Sequence, residues 1–148
     1  EMDRTRTLHL FDTFAGFREQ DLQQEKTQGG KYTTKEFSDT SVEAVRKYIN
    51  GGEAVVFHEG YFPETTAGLE KEVFAFVSID VDLYKPTLAG LQFFYDRLAA
   101  GGVIVVHDYN HNWEGATRAV DEFIATIPEA LVELPDWQGT ALIIKNKY

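Results

Sequence analysis

The sequence of 148 residues contains no cysteine, which excludes disulfide bonds and thiolate metal sites. Basic residues are scarce, because 14 Lys and Arg stand against 24 Asp and Glu and leave a formal charge of −10. Such a charge disfavours nucleic acid and anionic membranes as main partners. No apolar run approaches the roughly 20 residues of a membrane-spanning helix, and no signal peptide is recognisable. We therefore expect a cytoplasmic protein that works without nucleic acid or a membrane.

The composition is that of a folded globular protein, since 43% of the residues are hydrophobic and 14% are aromatic. The length suits a single domain over residues 1–148. Met2 stands behind Glu1, and an apolar strand pattern begins a few residues later. We expect from this that the chain enters its domain partway through.

Short apolar segments alternate with segments of helical periodicity, which predicts an α/β fold with a doubly wound sheet. The predicted strands cover residues 7–11, 54–57, 73–79, 103–106, 131–134 and 141–144. The first predicted helix begins at the T-x-x-E capping box of Thr40 and ends at the glycine pair 51–52. The second begins at Pro86 and ends at the glycine pair 101–102. A third helix carries the apolar residues of 116–127. Residues 18–39 are predicted to form a loop. The sheet should be mostly parallel, with the last two strands as an antiparallel pair at its edge.

Acidic residues directly follow several of the predicted strands. Asp12 follows the first strand, Asp80 and Asp82 follow the third, and His107 and Asp108 follow the fourth. In an open parallel sheet, ligands bind beyond the carboxyl ends of the strands. Carboxylates crowded there repel one another, and a divalent cation relieves the repulsion. The pattern therefore favours a metal site.

Each of these residues also has a purely structural interpretation. Asp108 could cap a turn, Asp82 could lie at the start of the following helix, and His107 could be an ordinary strand-end histidine. His9 and His58 lie on or beside apolar strands and receive no functional assignment.

A series of motifs between residues 7 and 125 resembles the macrocin O-methyltransferase (TylF-type) family of class I S-adenosylmethionine-dependent methyltransferases. The motifs are LFDTFAGF at 10–17, GYFPET at 60–65, DVDLY at 80–84, RLAAGG at 97–102, HDY at 107–109 and AVDEF at 119–123. The resemblance implies a metal-assisted O-methyltransferase, with S-adenosylmethionine as methyl donor and a hydroxyl of a small molecule, often a natural-product sugar, as acceptor.

The resemblance also implies roles for individual residues. Asp12 would hold the ribose hydroxyls of the methyl donor, and the turn at Gly60 and Tyr61 would approach its adenine. Asp80 would be a metal ligand, and Asp82 would be the general base.

His107 and Asp108 would complete the metal shell, where the family has D-D-Y in place of H-D-Y. Magnesium prefers oxygen ligands, whereas manganese tolerates imidazole, so the metal would be Mg²⁺, or Mn²⁺ if His107 is a ligand.

One expected family motif is absent, because no strand with a G-x-G turn precedes Asp12. That strand is central in the fold, and its turn cradles the methionine end of the donor. We therefore expect an N-terminally incomplete domain that pairs with further copies as a homo-oligomer. Two other functions stay open: a non-catalytic remnant that binds a metal or a partner, and a metal-dependent hydrolase in which Asp82 activates water.

Overall fold

The computed structural model describes residues 6–26, 32–49 and 52–147. The strands are β1 (Leu8–Asp12), β2 (Val55–Glu59), β3 (Phe74–Ile79), β4 (Leu98–Val106), β5 (Leu131–Leu134) and β6 (Thr140–Ile144). The helices are α1 (Glu19–Lys26), α2 (Val42–Tyr48), α3 (Tyr84–Asp96) and α4 (Glu114–Ile124), with short 3-10 turns at Gly52–Ala54 and Glu64–Thr66. The predicted α/β fold is confirmed. Across the described residues, no helix has the length and apolarity needed to cross a membrane.

The chain divides into two compact units, residues 1–67 and residues 68–148. The strands correspondingly form two sheets, a parallel pair β1-β2 and a four-stranded sheet of order β3-β4-β6-β5. The resemblance implied a mostly parallel sheet whose central strand is not recognisable in the sequence, and two separate sheets are what such a gap would leave. Each unit is described separately below.

The first unit is built on the parallel pair of β1 and β2, whose register runs from Leu8 opposite Val55 to Asp12 opposite Glu59. The prediction of a loop throughout residues 18–39 is wrong where α1 forms, and residues 27–31 lie outside the described part. This helix escaped prediction because Leu22, fully buried, is its one apolar residue.

The predicted start of α2 is also corrected, by one residue. The N-cap is Ser41, whose hydroxyl accepts a hydrogen bond from the Ala44 N–H at 3.1 Å. Thr40 therefore does not form the expected capping box. The helix ends at Tyr48 with Ile49 as its C-cap, and Gly51 of the predicted stop lies outside the described residues.

The second unit carries the mixed sheet. Strands β3 and β4 are parallel neighbours joined by α3, while β6 runs antiparallel to both β4 and β5. The predicted antiparallel pair at the sheet edge is therefore confirmed. Helices α3 and α4 bury apolar side chains that include Leu91, Phe94, Val120 and Phe123. A Cβ on Gly90 would lie 3.2 Å from the Ile79 side chain, so this glycine lets α3 approach β3 closely.

The end of α3 and the start of β4 differ from the prediction. The helix ends at Asp96, and β4 begins at Leu98, well before the predicted Val103. Gly101 and Gly102 therefore lie inside the strand and do not terminate the helix. The register jumps there, from Phe74 opposite Leu98 to Phe76 opposite Val103, and Gly101 supplies a φ of 76°. The glycine pair forms a bulge in β4.

Candidate active site

The carboxyl ends of β3 and β4 bring the predicted metal ligands together. Ile79 pairs with Val106, and the His107 N–H donates a hydrogen bond to the Ile79 carbonyl at 2.9 Å. Asp80 directly follows β3, and Asp108 follows β4 after His107, so both emerge at the same end of the sheet. The parallel pairing that the sequence predicted for these strands therefore sets the position of the site.

Asp80, His107 and Asp108 form one cluster in which a ligand atom from each residue lies within 4.8 Å of the others. The His107 Nδ1 is 2.9 Å from Asp108 Oδ2 and 3.3 Å from Asp80 Oδ1. Asp108 is buried, His107 is half-buried and Asp80 is exposed. The cluster is thus open to solvent on the Asp80 side.

The crowding of charged groups shifts the pKa values of the residues in and beside this cluster. Partial burial, together with the charges of Asp108 and Asp80, raises the pKa of Asp82 to about 7. Partial desolvation, reinforced by Asp108, also raises the pKa of Asp80, although His107 opposes that shift. The hydrogen bond to Asp108 raises the pKa of His107. The cluster therefore has a high affinity for positive charge, whether that charge is a proton or a cation.

The structural interpretations of these residues are not supported. The N-cap of α3 is Leu83, and its side chain makes no capping hydrogen bond, so Asp82 does not cap that helix. The Asn110 N–H donates to the hydroxyl of Thr117 at 2.9 Å, so Asp108 does not cap the turn through Asn110. The His107 ring lies between two carboxylates and not in the apolar core.

The turn after β4 adds a histidine that the sequence reasoning missed. The Nδ1 of His111 lies 3.8 Å from Asp108 Oδ1. The His107 ring faces the other carboxylate oxygen, Asp108 Oδ2. The His111 ring stands edge-on to the Trp137 ring, with centroids 5.5 Å apart. The sequence did contain a signal for this histidine, because His107 and His111 lie four residues apart directly after a buried strand. A turn of that length can carry both rings to one site.

The predicted donor-binding residues lie in the first unit. Asp12 ends β1, and its backbone carbonyl accepts a hydrogen bond from the Gly60 N–H at 2.9 Å. The Asp12 Oδ1 accepts a hydrogen bond from the Phe14 N–H at 2.7 Å. Asp12 and Gly60 are thus adjacent at the carboxyl ends of two parallel strands. The exposed carboxylate of Asp12 is held in a defined orientation by the turn that follows it.

Tyr61 is fixed by its own contacts within this unit. Its hydroxyl donates to Asp21 Oδ1 at 3.0 Å, and the Arg18 guanidinium lies 3.8 Å from the centre of its ring. Arg18 is itself paired with Glu64 at 3.2 Å. Burial and the bond to Asp21 raise the pKa of Tyr61 to about 12. Tyr61 therefore offers a rigid, neutral aromatic ring beside Gly60.

Comparison with known proteins identifies similar chains. Residues 1–143 match the macrocin-O-methyltransferase (TylF) family. The O-methyltransferase NovP superposes with a TM-score of 0.77 at 25% identity, over 97% of this chain and 62% of NovP. The calicheamicin methyltransferase CalS11 gives a TM-score of 0.73 at 21% identity, over 96% of this chain and 61% of CalS11. This chain thus spans about three fifths of either protein.

Two further findings complete the comparison. The S-adenosylhomocysteine-bound methyltransferase PaMTH1 of Podospora anserina superposes with a TM-score of 0.57 at 21% identity, over 95% of this chain and 72% of PaMTH1. CalS11 is described in its ligand-free structure as a TDP-rhamnose 3'-O-methyltransferase of calicheamicin biosynthesis. No curated protein matches this chain in sequence.

Proposed function

The chain belongs to the macrocin-O-methyltransferase (TylF) family, and from that membership we propose that it transfers a methyl group from S-adenosylmethionine to a hydroxyl of a small molecule. A sugar of a natural product is the acceptor we favour, because CalS11 is named for such a reaction. The observation that carries the proposal is the match of residues 1–143 to that family, and the cluster of Asp80, His107 and Asp108 supports its metal-assisted form. A cytoplasmic location and a homo-oligomer remain predictions from the sequence.

A divalent cation is part of the proposal, and the residues present suit one. Asp80 and Asp108 supply carboxylate oxygens, and His107 supplies an imidazole nitrogen, within one small volume. The crowding that raises the pKa of Asp80 and Asp82 is the repulsion that a cation would relieve. Asp80, His107 and Asp108 would hold the ion. When bound, such an ion lowers the pKa of an acceptor hydroxyl and orients it.

Asp82 is proposed as the general base. During the transfer the bond from sulfur to the methyl carbon breaks, a bond from the acceptor oxygen to that carbon forms, and the hydroxyl loses its proton. Asp82 accepts this proton, and S-adenosylhomocysteine leaves. Burial is the largest cause of the raised pKa of Asp82, and a raised pKa makes its carboxylate a stronger base than an ordinary one. Alignment of the acceptor with the sulfonium carbon supplies much of the acceleration.

The proposed donor-binding residues are Asp12, Gly60 and Tyr61. An ionised carboxylate accepts two hydroxyl hydrogen bonds, which suits the ribose diol. Asp12 is exposed at the end of β1, and Gly60 and the rigid Tyr61 stand beside it. In a form extended N-terminally, Asp12→Ala should weaken donor binding by about 1.5–3 kcal/mol, the range for hydrogen bonds to a charged group. Unchanged affinity for S-adenosylhomocysteine in calorimetry would mean that Asp12 has another role.

Donor binding also tests the function itself. Calorimetry with S-adenosylhomocysteine should detect binding to a form extended N-terminally and weaker binding to this chain, and methyl transfer should require a divalent ion. A metal-dependent hydrolase, in which Asp82 activates water, would bind the ion but not the donor. A remnant would bind a metal or partner without turnover. Metal-independent methyl transfer would contradict the metal assistance and leave the methyltransferase assignment standing.

A further inference from the structure

We propose that helix α4 positions the two halves of the candidate active site relative to each other. Two adjacent acidic residues of this helix, Asp121 and Glu122, each accept a hydrogen bond from one tyrosine hydroxyl. Each tyrosine belongs to the segment that follows one strand of the site. The two acids are positioning residues, which act through the tyrosines and not by contact with the substrate or an ion. This assignment rests on the proposed function.

The first half of the arrangement is the turn that follows β4. The Tyr109 hydroxyl donates to Asp121 Oδ1 at 2.8 Å, and Tyr109 is buried. One turn earlier on α4, the Thr117 hydroxyl accepts a hydrogen bond from the Asn110 N–H at 2.9 Å. Because Thr117 and Asp121 stand at i and i+4, they lie on the same face of the helix. Two hydrogen bonds therefore tie this face to the residues directly after Asp108.

The second half is the segment that follows β3. The Tyr84 hydroxyl donates to Glu122 Oε2 at 2.6 Å, and the Arg118 guanidinium lies 4.1 Å from the centre of the Tyr84 ring. Arg118 and Glu122 are again one helical turn apart, with Arg118 Nε 4.0 Å from Glu122 Oε1. Tyr84 is the first residue of α3 and stands two positions after Asp82. The start of α3 is therefore attached to α4 through the side chain of its first residue.

The backbone of both segments requires such support. Asp82 and Asp108 each have a φ of 61°, in the left-handed region that residues other than glycine seldom adopt. A residue in that conformation is strained and persists only where the surrounding structure holds it in place. Tyr84 follows Asp82 after one residue, and Tyr109 follows Asp108 directly. In both segments, a strained residue that carries a carboxylate of the site is thus followed by a tyrosine bound to α4.

The consequence concerns the spacing of the carboxylates. A ligand atom of Asp80 and one of Asp108 lie within 4.8 Å of each other. The ion and the general base proposed for this site depend on that spacing, and a displacement of about 1 Å can lower a rate roughly a hundredfold. Because neighbouring residues of one helix hold both segments, α4 sets their separation. The same arrangement gives a role to the acids of the AVDEF motif at 119–123.

The test measures the Mn²⁺ affinity of the full chain by calorimetric titration. Tyr109→Phe and Tyr84→Phe each keep the ring and remove only the hydroxyl that α4 binds. We expect each to weaken Mn²⁺ binding about tenfold, the lower range for loss of a group that orients a metal ligand. Tyr95→Phe is the matched control, because the Tyr95 hydroxyl also donates to an acid, Glu129, but at the far end of α3. Its Mn²⁺ affinity should equal that of the parent, even where its melting temperature is lower.

Substitutions of the acids separate the hydrogen bond from the charge. Asp121→Ala and Asp121→Asn both remove a negative charge, but asparagine keeps an oxygen that can accept a hydrogen bond from the Tyr109 hydroxyl. Asp121→Asn should therefore bind Mn²⁺ more tightly than Asp121→Ala, and Glu122→Gln more tightly than Glu122→Ala. The double variant Tyr109→Phe/Asp121→Ala should bind Mn²⁺ no more weakly than Asp121→Ala alone, because both substitutions remove the same bond.

Amide hydrogen exchange supplies a measurement that needs no ion. In Tyr109→Phe, exchange at the Asn110 N–H should become about tenfold faster or more, because the turn opens more often. The His107 N–H, which is bonded to the Ile79 carbonyl within the sheet, should stay protected. A parent chain that binds no Mn²⁺ but shows this exchange pattern would exclude the metal of the proposed function and support α4 as the positioning element.

Three results would overturn the proposal. Equal losses of Mn²⁺ affinity in Asp121→Asn and Asp121→Ala would mean that the charge of the acid matters and its hydrogen bond does not. A loss in Tyr95→Phe as large as that in Tyr109→Phe would show a general effect of stability. Unchanged exchange at the Asn110 N–H in Tyr109→Phe would show that α4 does not hold the turn.

Discussion

At the scale of single residues, the crowded carboxylates make the metal-free protein sensitive to pH. The pKa of Asp82 is raised to about 7, so below that pH the folded chain retains a proton that the unfolded chain releases above about pH 4. The raised pKa values of Asp80 and His107 act in the same direction. Folding stability from this cluster is therefore present at low pH and is lost as pH rises toward and through 7.

We accordingly expect the melting temperature of the metal-free protein to fall between about pH 5 and pH 8. Asp82→Asn should flatten this dependence, because the amide neither gains nor loses the proton. A saturating divalent ion should flatten it as well, since the ion replaces the proton in neutralising the cluster. Asp39→Asn, at an exposed position outside the cluster, controls for the change in net charge. A melting temperature that rises over this pH range would contradict the assignment.

His107 should influence the choice of metal through the chemistry of its side chain. If the imidazole binds the ion, Mn²⁺ should bind more tightly than Mg²⁺, and His107→Asp should move the preference back toward Mg²⁺ by restoring an oxygen. Parallel titrations of both ions into the parent and the variant measure the ratio of affinities. Identical ratios in the two proteins would favour a role for His107 as a proton-bearing bridge between Asp80 and Asp108, with no bond to the metal.

The residues of this cluster differ in how far the sequence could predict them. Asp80, His107 and Asp108 stand at the ends of two apolar segments of the sequence, so the rule for parallel sheets places them at one edge. His111 could not be assigned in that way. Its position depends on the left-handed backbone of Asp108 and Asn110, with φ of 61° and 56°, and on contact with a loop nearly thirty positions later.

At the scale of elements, the loop between β5 and β6 holds the turn that carries the site. Gly139 has a φ of 74°, and a Cβ there would overlap the Tyr109 carbonyl and lie 3.3 Å from the His111 Cβ. Gly139→Ala should therefore break the hydrogen bond from Tyr109 and displace the turn. We expect a loss of stability of at least about 1–3 kcal/mol, the cost of a strained backbone, with weaker metal binding.

Gly68→Ala is the matched control for this prediction. Gly68 also has a positive φ, of 87°, but a Cβ there would meet nothing within 4 Å. Urea denaturation of both variants separates the cost of backbone strain, which they share, from the clash at Gly139. If Gly139→Ala binds Mn²⁺ as tightly as Gly68→Ala does, the loop does not position the site.

Whether a helix or strand was predicted correctly depended on its pattern of apolar residues. Strand β5 was predicted at its observed bounds, because its three apolar residues lie close together and Pro135 follows them directly. The helix α1 was missed because a single apolar residue, Leu22, gives no periodicity. The early start of β4 was missed because Gly101 and Gly102 indicate the end of a helix as readily as a bulge.

At the scale of the whole molecule, the sequence predicted the α/β class, the parallel pairing of β3 with β4 and the antiparallel end of the mixed sheet. These features follow from local patterns and from the connection lengths. The division into two sheets agrees with the family resemblance, which implied a central strand that is not recognisable in the sequence. Composition and periodicity alone do not encode strand pairing over long sequence separations.

The unpaired edge of β3 leads to the last prediction. Within the described residues, β3 pairs with β4 alone and is an edge of its sheet, and Phe76 on this strand is 63% exposed. An edge strand with an exposed apolar side chain is a template for pairing with another chain. We therefore expect the 148-residue chain to self-associate with rising concentration, as measured by sedimentation equilibrium, and to bind S-adenosylhomocysteine poorly.

Phe76→Lys should reduce this association, because a charge on an edge strand opposes pairing. Val132→Lys is the matched control, since Val132 is 45% exposed on β5, the other edge of the same sheet. Equal effects of the two substitutions would mean that added charge alone keeps the chains apart, without a specific role for β3. A form extended N-terminally should associate less through β3 and bind the donor, if the extension supplies the strand that the family has there. A stable monomer of this chain that transfers methyl groups unaided would contradict the prediction.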